Sequence, residues 1–299
     1  MTDTIDTTET YSDALMGFTL PGRSARGRMV RLDGVLEQVL SAHDYPPPIT
    51  HLLGEALVLV TLMGGLLKGD EAQMTMQAQT NGGIVSLLVC DYRGGAIRGY
   101  ADFDAERLAK LGANPSLAAL FGEGYLGITF ETEGRQRYQG IVPLEGDNLA
   151  AACEAYFNQS EQIPTLIRLA SRAGRSGRTA AGLIIQHLPE GEEGRERLHV
   201  RMDHPDWEHV VALAGTTSHD ELLDPALSLE AMAWRLFHEE EEVRVQTGVT
   251  VSRGCRCSSA HYEAVIGRFP PEEQADMRGA DGIIAVDCAF CSRTFALAI

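Results

Sequence analysis

The 299-residue sequence is long enough for one large domain or two to three smaller ones, and its 44% of hydrophobic residues suffices for a sizeable core. Its formal net charge of -17 argues against nucleic acid or an anionic membrane as the main partner, because binding to either usually requires a basic face. The N-terminus lacks the basic and apolar regions of an export signal, and the longest apolar stretch, residues 52–67, is shorter than a bilayer span. We therefore expect a globular cytoplasmic protein without a membrane segment, in which clustered cysteines serve as metal ligands or redox groups rather than permanent disulfides.

The first predicted elements precede and include this apolar stretch. Residues 30–40 combine strand and helix spacing, which predicts a strand running into a helix. His43 and Asp44 would suit a catalytic dyad, but the following Pro46-Pro47-Pro48 favours a helix-ending turn and an extended connection. We expect Thr50 to cap the next helix, whose apolar residues cover most of its circumference and place it at the centre of a domain.

Segments with a period of two predict antiparallel strands downstream. Residues 74–79 alternate, a glycine-rich turn leads into an apolar run, and a third strand follows from residue 96. Cys90 and Cys153 lie on apolar faces, where cysteine usually acts as a small hydrophobic residue. Residues 1–190 thus predict an α+β core domain with one antiparallel sheet and packed helices. Its remaining elements are a helix from about Asn148 and strands near residues 126–132, 137–143, 163–170 and 180–188.

A charged, glycine-containing run at residues 189–194 marks a predicted domain boundary. Residues 197–245 have helical periodicity, and Trp234 lies off the apolar stripe of the last helix. The acidic run at residues 239–242 predicts a solvated helix end, where negative charge is unfavourable. A region of about fifty residues is too short to fold alone, so we expect a marginally stable helical linker over residues 191–247. The stripe consists of Leu229, Met232, Ala233, Leu236 and Phe237.

Four of the six cysteines form two closely spaced pairs, Cys255 with Cys257 and Cys288 with Cys291. Two such pairs, each offering two thiolates from a short stretch of backbone, are typical of a zinc site. Residues 248–299 are too few for a self-sufficient apolar core, so we expect one bound zinc ion to stabilise them by on the order of 10–16 kcal/mol. The neighbouring arginines would offset the thiolate charge and favour oxidation of a freed thiol: Arg253, Arg256 and Arg293.

Several interpretations of this cysteine site follow from its chemistry. The simplest is a static structural zinc site. Alternatively the site is a redox switch, because oxidation to disulfides would remove the thiolates, release the metal and withdraw the free energy that folds the region. A dithiol oxidoreductase using Cys288 and Cys291 has less support, since this pair does not open a helix after a strand. His261 would be an alternative ligand, although four cysteines already complete a tetrahedral site.

Longer motifs give the sequence a resemblance to the heat shock protein 33 family, the redox-regulated chaperones of the bacterial cytoplasm. The two cysteine pairs have the separation found in that family. The resemblance implies an N-terminal core domain over residues 1–190, a helical linker over 191–247 and a zinc-binding redox-switch domain over 248–299. The motifs extend over nearly the whole chain and are His43-Asp44-Tyr45-Pro46, Gly122-Glu123-Gly124-Tyr125-Leu126, Arg137-Tyr138-Gln139-Gly140, Leu144-Glu145-Gly146-Asp147 and Trp234-Arg235-Leu236-Phe237-His238-Glu239-Glu240.

The resemblance also implies a mechanism. In the reduced form all four cysteines would bind one zinc ion, and the chaperone would be inactive. Peroxide with heat, or hypochlorous acid, would join Cys255 to Cys257 and Cys288 to Cys291. Zinc would then leave, the linker would loosen, and apolar surface would bind unfolding client proteins without ATP. The active form would be a homodimer, and no residue would be catalytic.

The residues alone leave a second class of function open, namely a cytoplasmic binding or enzymatic protein with a purely structural zinc site, acting on protein or RNA. A serine-histidine-acid set, a nucleotide-binding loop and paired catalytic carboxylates are all inconspicuous in the sequence, which argues against an enzyme. The two classes differ in their active form. The chaperone would gain activity on oxidation, whereas the second class would be active when reduced and zinc-loaded.

Overall fold

Helix α2, Pro47–Gly64, packs against both large β-sheets of the protein. The structure, a computed structural model, describes residues 12–69, 71–134, 136–174, 177–188 and 203–298. By length and apolar composition α2 would suit a membrane span, but 78% of it is buried inside the protein, as in the core helix of a globular protein. The prediction of a central apolar helix is confirmed.

The start of α2 differs from the prediction. The helix begins at Pro47 with Pro46 as its N-cap, so the prolines open the helix instead of forming an extended connection. Proline is tolerated there because the N–H groups of the first turn have no intrahelical partner. Thr50 does not cap the helix, since its hydroxyl donates a hydrogen bond to the carbonyl oxygen of Tyr45 at 3.1 Å.

The strands form two large sheets rather than the single predicted sheet, because α2 buries apolar residues on opposite sides and each side receives its own sheet. The five-stranded sheet has the order β10-β1-β2-β9-β8, from β1 (Ala14–Leu20), β2 (Ala25–Leu32), β8 (Thr165–Gly174), β9 (Gly177–His187) and β10 (Arg244–Thr250). The six-stranded sheet has the order β11-β5-β4-β3-β6-β7, from β3 (Gln73–Thr80), β4 (Val85–Arg93), β5 (Ala96–Phe103), β6 (Gly124–Glu131), β7 (Tyr138–Pro143) and β11 (Ser252–Arg253).

Short helices connect and cover these sheets. The strand and helix predicted over residues 30–40 are confirmed as the end of β2 followed by α1, and Asn148 caps α5 through its side chain. The mixed helix and sheet composition agrees with the predicted fold class. Besides α2, the core helices are α1 (Gly34–Leu40), α3 (Ala105–Leu108), α4 (Leu117–Phe121) and α5 (Leu149–Tyr156).

Three helices of the predicted linker cover the outer face of the five-stranded sheet. They are α6 (Pro205–Ala214), α7 (His219–Leu223) and α8 (Leu229–Phe237). Phe237 is fully buried, and its ring centroid lies 5.6 Å from that of Phe18 in β1. Trp234 is 62% exposed, in agreement with its place off the apolar stripe. The linker helices therefore bury an apolar sheet face that would otherwise contact water.

The acidic run after α8 is not simply solvated. The Glu240 side chain is only 8% exposed and accepts hydrogen bonds from Arg23 Nε at 2.8 Å and from His209 Nε2 at 2.7 Å. Burial would raise the pKa of Glu240, but the hydrogen bonds from Arg23 and His209 outweigh it and lower this pKa. Arg23 also donates to Asp206 at 2.6 Å. This cluster attaches the linker to the start of the core.

The predicted domain limits remain predictions. The run at residues 189–194 lies outside the described residues. After α8 the chain returns to the core as β10, which pairs with β1, so the limit expected between residues 247 and 248 falls inside a strand. The last described segment contains α9 (Ser259–Ile266), α10 (Pro271–Met277), β12 (Ile284–Asp287) and β13 (Thr294–Leu297).

Candidate metal centre

The first cysteine pair leaves the core along β11, which pairs in parallel with β5. The Gly254 N–H donates to the carbonyl oxygen of Ile97 at 2.8 Å. A Cβ at Gly254 would lie 2.4 Å from that of Ala96, so this close approach requires glycine. Cys255 and Cys257 follow at once, and the sheet edge thereby fixes where their sulfurs lie.

The second cysteine pair forms the turn between β12 and β13. The Cys291 and Ser292 N–H groups donate to the Cys288 carbonyl oxygen at 3.2 and 2.8 Å, and the Cys288 N–H donates to the Arg293 carbonyl oxygen at 3.0 Å. Ser292 adopts the left-handed conformation, with φ of 55°, which closes the turn. The pair follows a strand but opens no helix within this described segment, as the sequence predicts.

The four sulfur atoms lie within 4.8 Å of one another. Cys255 Sγ is 3.3 Å from Cys257 Sγ and 3.6 Å from Cys288 Sγ, and Cys257 Sγ is 3.5 Å from Cys291 Sγ. Four thiolates at about 2.3 Å from one zinc ion would be about 3.8 Å apart in an ideal tetrahedron. The sulfur positions therefore fit a tetrahedral metal ion of this size, and the cysteines are free thiols rather than disulfides.

The thiols differ in acidity. Burial would raise the pKa of Cys288, but hydrogen bonds from the Tyr262 hydroxyl and from the Phe290 and Cys291 N–H groups outweigh it and lower this pKa to about 6. Burial, followed by hydrogen bonds with the neighbouring sulfurs, raises the pKa of Cys257. Four adjacent thiols thus resist losing all their protons together, since like charges at this distance repel. A bound cation would remove that resistance.

The sulfurs rest on a small apolar cluster. Its buried members, within the described residues, are Ile284, Cys288, Phe295 and Leu297. The rings of Tyr262 and Phe295 have centroids 5.1 Å apart. Neither α9 nor α10, both fully described, contains a buried residue. Apolar burial alone therefore stabilises this region weakly.

Arg256, between the first two cysteines, contacts the core domain. Its Nη2 donates to Asp91 Oδ2 at 2.9 Å and its Nη1 donates to Gln73 Oε1 at 2.8 Å. Asp91 is 5% exposed and also accepts hydrogen bonds from Thr75 Oγ1 and Arg98 Nε, both at 2.7 Å. The shared carboxylate joins the cysteine region to the six-stranded sheet, a role that the sequence position of Arg256 beside the ligands does not indicate.

The second cysteine turn also contacts the core. His43 Nε2 lies 2.7 Å from the Ala289 carbonyl oxygen, and the Ser292 hydroxyl donates to the Ala42 carbonyl oxygen at 2.6 Å. The Arg98 guanidinium lies 4.0 Å from the centroid of the Phe290 ring. His43 thus contacts the second cysteine turn, in agreement with a turn rather than a catalytic dyad at this position. No local sequence signal indicates this contact, because the two partners are separated by 246 residues.

The structure separates the remaining candidate residues from the site. His261 is exposed and is not among the clustered ligand atoms of the described residues. Cys90 and Cys153 are fully buried in the core cluster around α2, as predicted. Burial, followed by the neighbouring charges of Asp91 and Glu154 respectively, raises the pKa of both thiols, that of Cys153 to about 12. These two cysteines act as small apolar residues.

Comparison with known proteins identifies the family. The family profile described as Hsp33 protein matches residues 13–298. This chain belongs to the Hsp33 family. The 33 kDa chaperonin of Caulobacter vibrioides strain NA1000 is 39% identical over 99% of this chain and 98% of its own length. The 33 kDa chaperonin of Vibrio cholerae is 35% identical over 91% of this chain and 88% of its own length.

A solved structure supports the fold of this Hsp33 chain. The crystal structure of the 33 kDa chaperonin, a heat shock protein 33 homologue, from Thermotoga maritima superimposes with a TM-score of 0.77. The match covers 95% of this chain and 94% of that one at 20% sequence identity. The Hsp33 relatives are named as chaperonins, and the clustered cysteines suit the metal-binding and redox chemistry expected of the site.

Proposed function

We propose that this Hsp33 chain is a redox-regulated, ATP-independent holdase chaperone of the cytoplasm, with no catalytic residue. In the reduced form Cys255, Cys257, Cys288 and Cys291 would bind one zinc ion. The observation that carries this proposal is the cluster of four sulfurs within 4.8 Å, in a region with little other core. A zinc ion bound there would contribute on the order of 10–16 kcal/mol of folding free energy.

Oxidation would remove the ligands. When Cys255 joins Cys257 and Cys288 joins Cys291, each pair of thiolates gives up two electrons. For each pair, one peroxide molecule takes up these two electrons and two protons from the solvent and is reduced to two waters, so that two peroxide molecules are consumed in all. Disulfide sulfurs no longer provide thiolate ligands, so the region loses its metal and the free energy that orders it. The sulfur distances fit several pairings, and the short sequence separations favour these two.

Loss of order in the cysteine region would affect the linker through the strands that connect the two regions. The cysteine region follows β11 and β10 directly, and β10 holds the end of the linker on β1. The contacts of Arg256 with Asp91 and of His43 with Ala289 would break with the cysteine turns. The strand β10 would then lose its C-terminal anchor, which weakens linker docking.

The surface beneath the linker is suited to unfolded proteins. Removing α6, α7 and α8 would uncover an apolar face of the five-stranded sheet, and exposed apolar faces of this kind bind other apolar surfaces. Clients would bind there without ATP, and we propose that the active form is a homodimer. The sheet residues of this face are Met16, Phe18, Leu20, Ala25, Met29, Leu166, Ala170, Ala181, Leu183 and Ile185.

One experiment separates the chaperone from a protein with a purely structural zinc site. Zinc content, free thiols and light scattering by a heat-denatured client are measured on the same samples before and after peroxide at raised temperature. We expect loss of one zinc ion and four thiols, with gain of aggregation suppression. Peptide mapping of the oxidised protein should find the two proposed disulfides. Suppression by the reduced protein, abolished on oxidation, would contradict the proposal.

A further inference from the structure

One buried carboxylate is shared by two arginines that reach the two cysteine pairs. Asp91 in β4 lies opposite Thr75 in β3 and opposite Arg98 in β5 in the strand register. The three side chains therefore form a row across one face of the six-stranded sheet. Asp91 is only 5% exposed, and a buried carboxylate is costly unless it is paired. The strand register provides its first partners, and the cysteine region adds another.

The first arginine connects Asp91 with the first cysteine pair. Arg256 lies between Cys255 and Cys257, and its Nη2 donates to Asp91 Oδ2 at 2.9 Å. The backbone of the same segment is already fixed by the pairing of β11 with β5, which ends at Gly254. Backbone pairing and the Arg256 side chain thus hold this cysteine pair on the sheet at two points.

The second arginine connects Asp91 with the second cysteine pair. Arg98 Nε donates to the same Asp91 Oδ2 at 2.7 Å, and the Arg98 guanidinium lies 4.0 Å from the centroid of the Phe290 ring. Phe290 lies between Cys288 and Cys291 in the turn that joins β12 to β13. A guanidinium over an aromatic face is attracted by the electrons of the ring. One carboxylate oxygen therefore orients the arginines that contact both halves of the metal centre.

The charges of these arginines favour the reduced, metal-loaded form. Four thiolates around one divalent ion carry a formal charge of about -2, whereas two disulfides carry none. Arg98 and Arg256 are thus attracted to the cysteines only while the thiolates are present. A contact shifts an equilibrium by the difference between its interactions with the two states. By holding both guanidinium groups in place, Asp91 would turn that difference into resistance to oxidation.

We propose that Asp91 is a positioning residue for the redox switch. Through Arg256 and Arg98 it holds the two cysteine pairs together, which raises the metal affinity of the reduced protein and slows metal release under an oxidant. This inference rests on the proposed function and names a control on its sensitivity to oxidants. Residues that orient metal ligands without touching the metal typically change metal affinity by about 10–100-fold. Because Asp91 acts through two arginines, we expect the lower end of that range.

Competition with a chromogenic zinc chelator tests the role of Asp91 in the reduced full chain. Asp91→Asn should bind zinc about tenfold more weakly than the wild type and should release it about tenfold faster under peroxide. Asp102→Asn is the matched control, because Asp102 lies in the same sheet but accepts a hydrogen bond from Ser86 instead of from an arginine. Hydrogen exchange in α2 verifies that the core of each variant is intact.

A double-mutant cycle separates positioning from a general structural role. Arg98→Met and Arg256→Met should each weaken zinc binding by up to about fivefold in the wild-type background, but by less than about twofold in the Asp91→Asn background. The reason is that both arginines act through the same carboxylate, whereas independent losses of stability would add. Arg256→Lys, which keeps the charge, should retain more of the zinc affinity than Arg256→Met.

The variants also cover failure of Asp91→Asn to fold. In that case the combined variant Arg98→Met with Arg256→Met provides the test, and it should weaken zinc binding about tenfold. Zinc affinity of Asp91→Asn equal to that of Asp102→Asn, fully additive effects in the cycle, or unchanged affinity of the combined arginine variant would each overturn the role of Asp91.

The same samples separate this inference from the proposed function. The oxidised wild-type protein is assayed in parallel for suppression of client aggregation. If zinc affinity depends on Asp91 as expected but the oxidised wild type does not suppress aggregation, only the proposed function fails. If the oxidised wild type suppresses aggregation but Asp91→Asn binds and releases zinc like the wild type, only the role of Asp91 fails.

Discussion

Helix α2 has 14 of its 18 residues buried, whereas α9 and α10, both within the described segment 203–298, bury none. The cluster around α2 draws on both large sheets, but the cysteine cluster has four buried members in the described chain. A fully buried large apolar side chain contributes roughly 1.5–3 kcal/mol, and ordering each backbone residue costs roughly 1–2 kcal/mol. The core can therefore fold through apolar burial, whereas apolar burial alone does not stabilise the cysteine region, which is why we propose that a bound metal ion orders it.

The linker is intermediate between these two regions. Its helices bury a substantial apolar cluster with the five-stranded sheet. Among the described residues, Arg31 Nη2 at the same interface is buried without a protein hydrogen-bond partner. An unsatisfied buried polar group costs about 1–3 kcal/mol. Burial of this part of the Arg31 guanidinium thus opposes linker docking, and the marginal stability expected from the sequence stays a prediction.

Metal removal should have the largest effect. Chelation of zinc from the reduced protein should abolish hydrogen-exchange protection in β12 and β13, with a loss on the order of 10 kcal/mol, because four thiols without a metal cannot order this region. Protection in α2 should be unchanged. The Cys153→Ala variant, which retains all four clustered thiols, is the control for metal content. Unchanged exchange in β12 and β13 would contradict the contrast between the two regions.

Truncation of Phe237 should have the next largest effect. Phe237→Ala should weaken linker docking by about 3–5 kcal/mol, since it removes a fully buried ring that contacts Phe18. The variant should bind an apolar dye without oxidation and should lose exchange protection in α6 to α8 while retaining its zinc. Trp234→Ala on the same helix is the matched control because Trp234 is 62% exposed. Equal dye binding by both variants would show that the Phe237 ring does not hold the linker helices on the sheet.

Arg31 tests the polar part of the linker interface. It is fully buried in β2 and donates from Nε to the Leu222 carbonyl oxygen at 2.9 Å and from Nη1 to the Leu227 carbonyl oxygen at 2.8 Å. Burial, only partly offset by Asp224, lowers its pKa, so its charge is costly there. Hydrogen bonds of a charged donor contribute about 1.5–3 kcal/mol each. Because burial of the charge offsets part of this contribution, we expect Arg31→Met to lower the free energy of α7 docking by about 1–2 kcal/mol.

Hydrogen exchange in α7 measures the Arg31→Met effect. Arg26→Met is the control, because the Arg26 guanidinium bonds to Gln186 within the same sheet rather than to the linker. Slower exchange in α7 of the Arg31→Met variant would show that the buried charge costs more than its two hydrogen bonds contribute. That result would reverse the role assigned to Arg31.

The Arg256 contact should have the smallest effect. Arg256→Met removes one of three donors to Asp91, and we expect a loss of about 1 kcal/mol because the Arg256 side chain is partly exposed and two donors remain. We expect zinc release under peroxide to become up to about fivefold faster, because the cysteine turn is held less firmly on the core. A chromogenic zinc chelator follows the rate. Arg253→Met, which changes an exposed residue of β11, should leave the rate unchanged.

Much of this architecture was predictable because its signals are local. Strand alternation in residues 74–79, the apolar circumference of α2 and the stripe ending at Phe237 each depend on spacing within one element. The predicted number of sheets was wrong, because strands that pair, such as β2 with β9, are far apart in sequence. The predicted start of α2 was wrong, because proline is found both after the end of a helix and in its first turn.

Local sequence patterns identify the candidate metal ligands of this protein. Two short-spaced cysteine pairs in a C-terminal region without its own apolar core predict a metal-dependent unit, because these properties depend on residue type and short separations. The contacts between that unit and the rest of the protein became visible in the folded structure. Asp91 beside Arg256, His43 beside Ala289 and Glu240 beside Arg23 join segments more than 160 residues apart. Contacts of this kind depend on how helices and sheets pack, and short-range sequence patterns do not specify that packing.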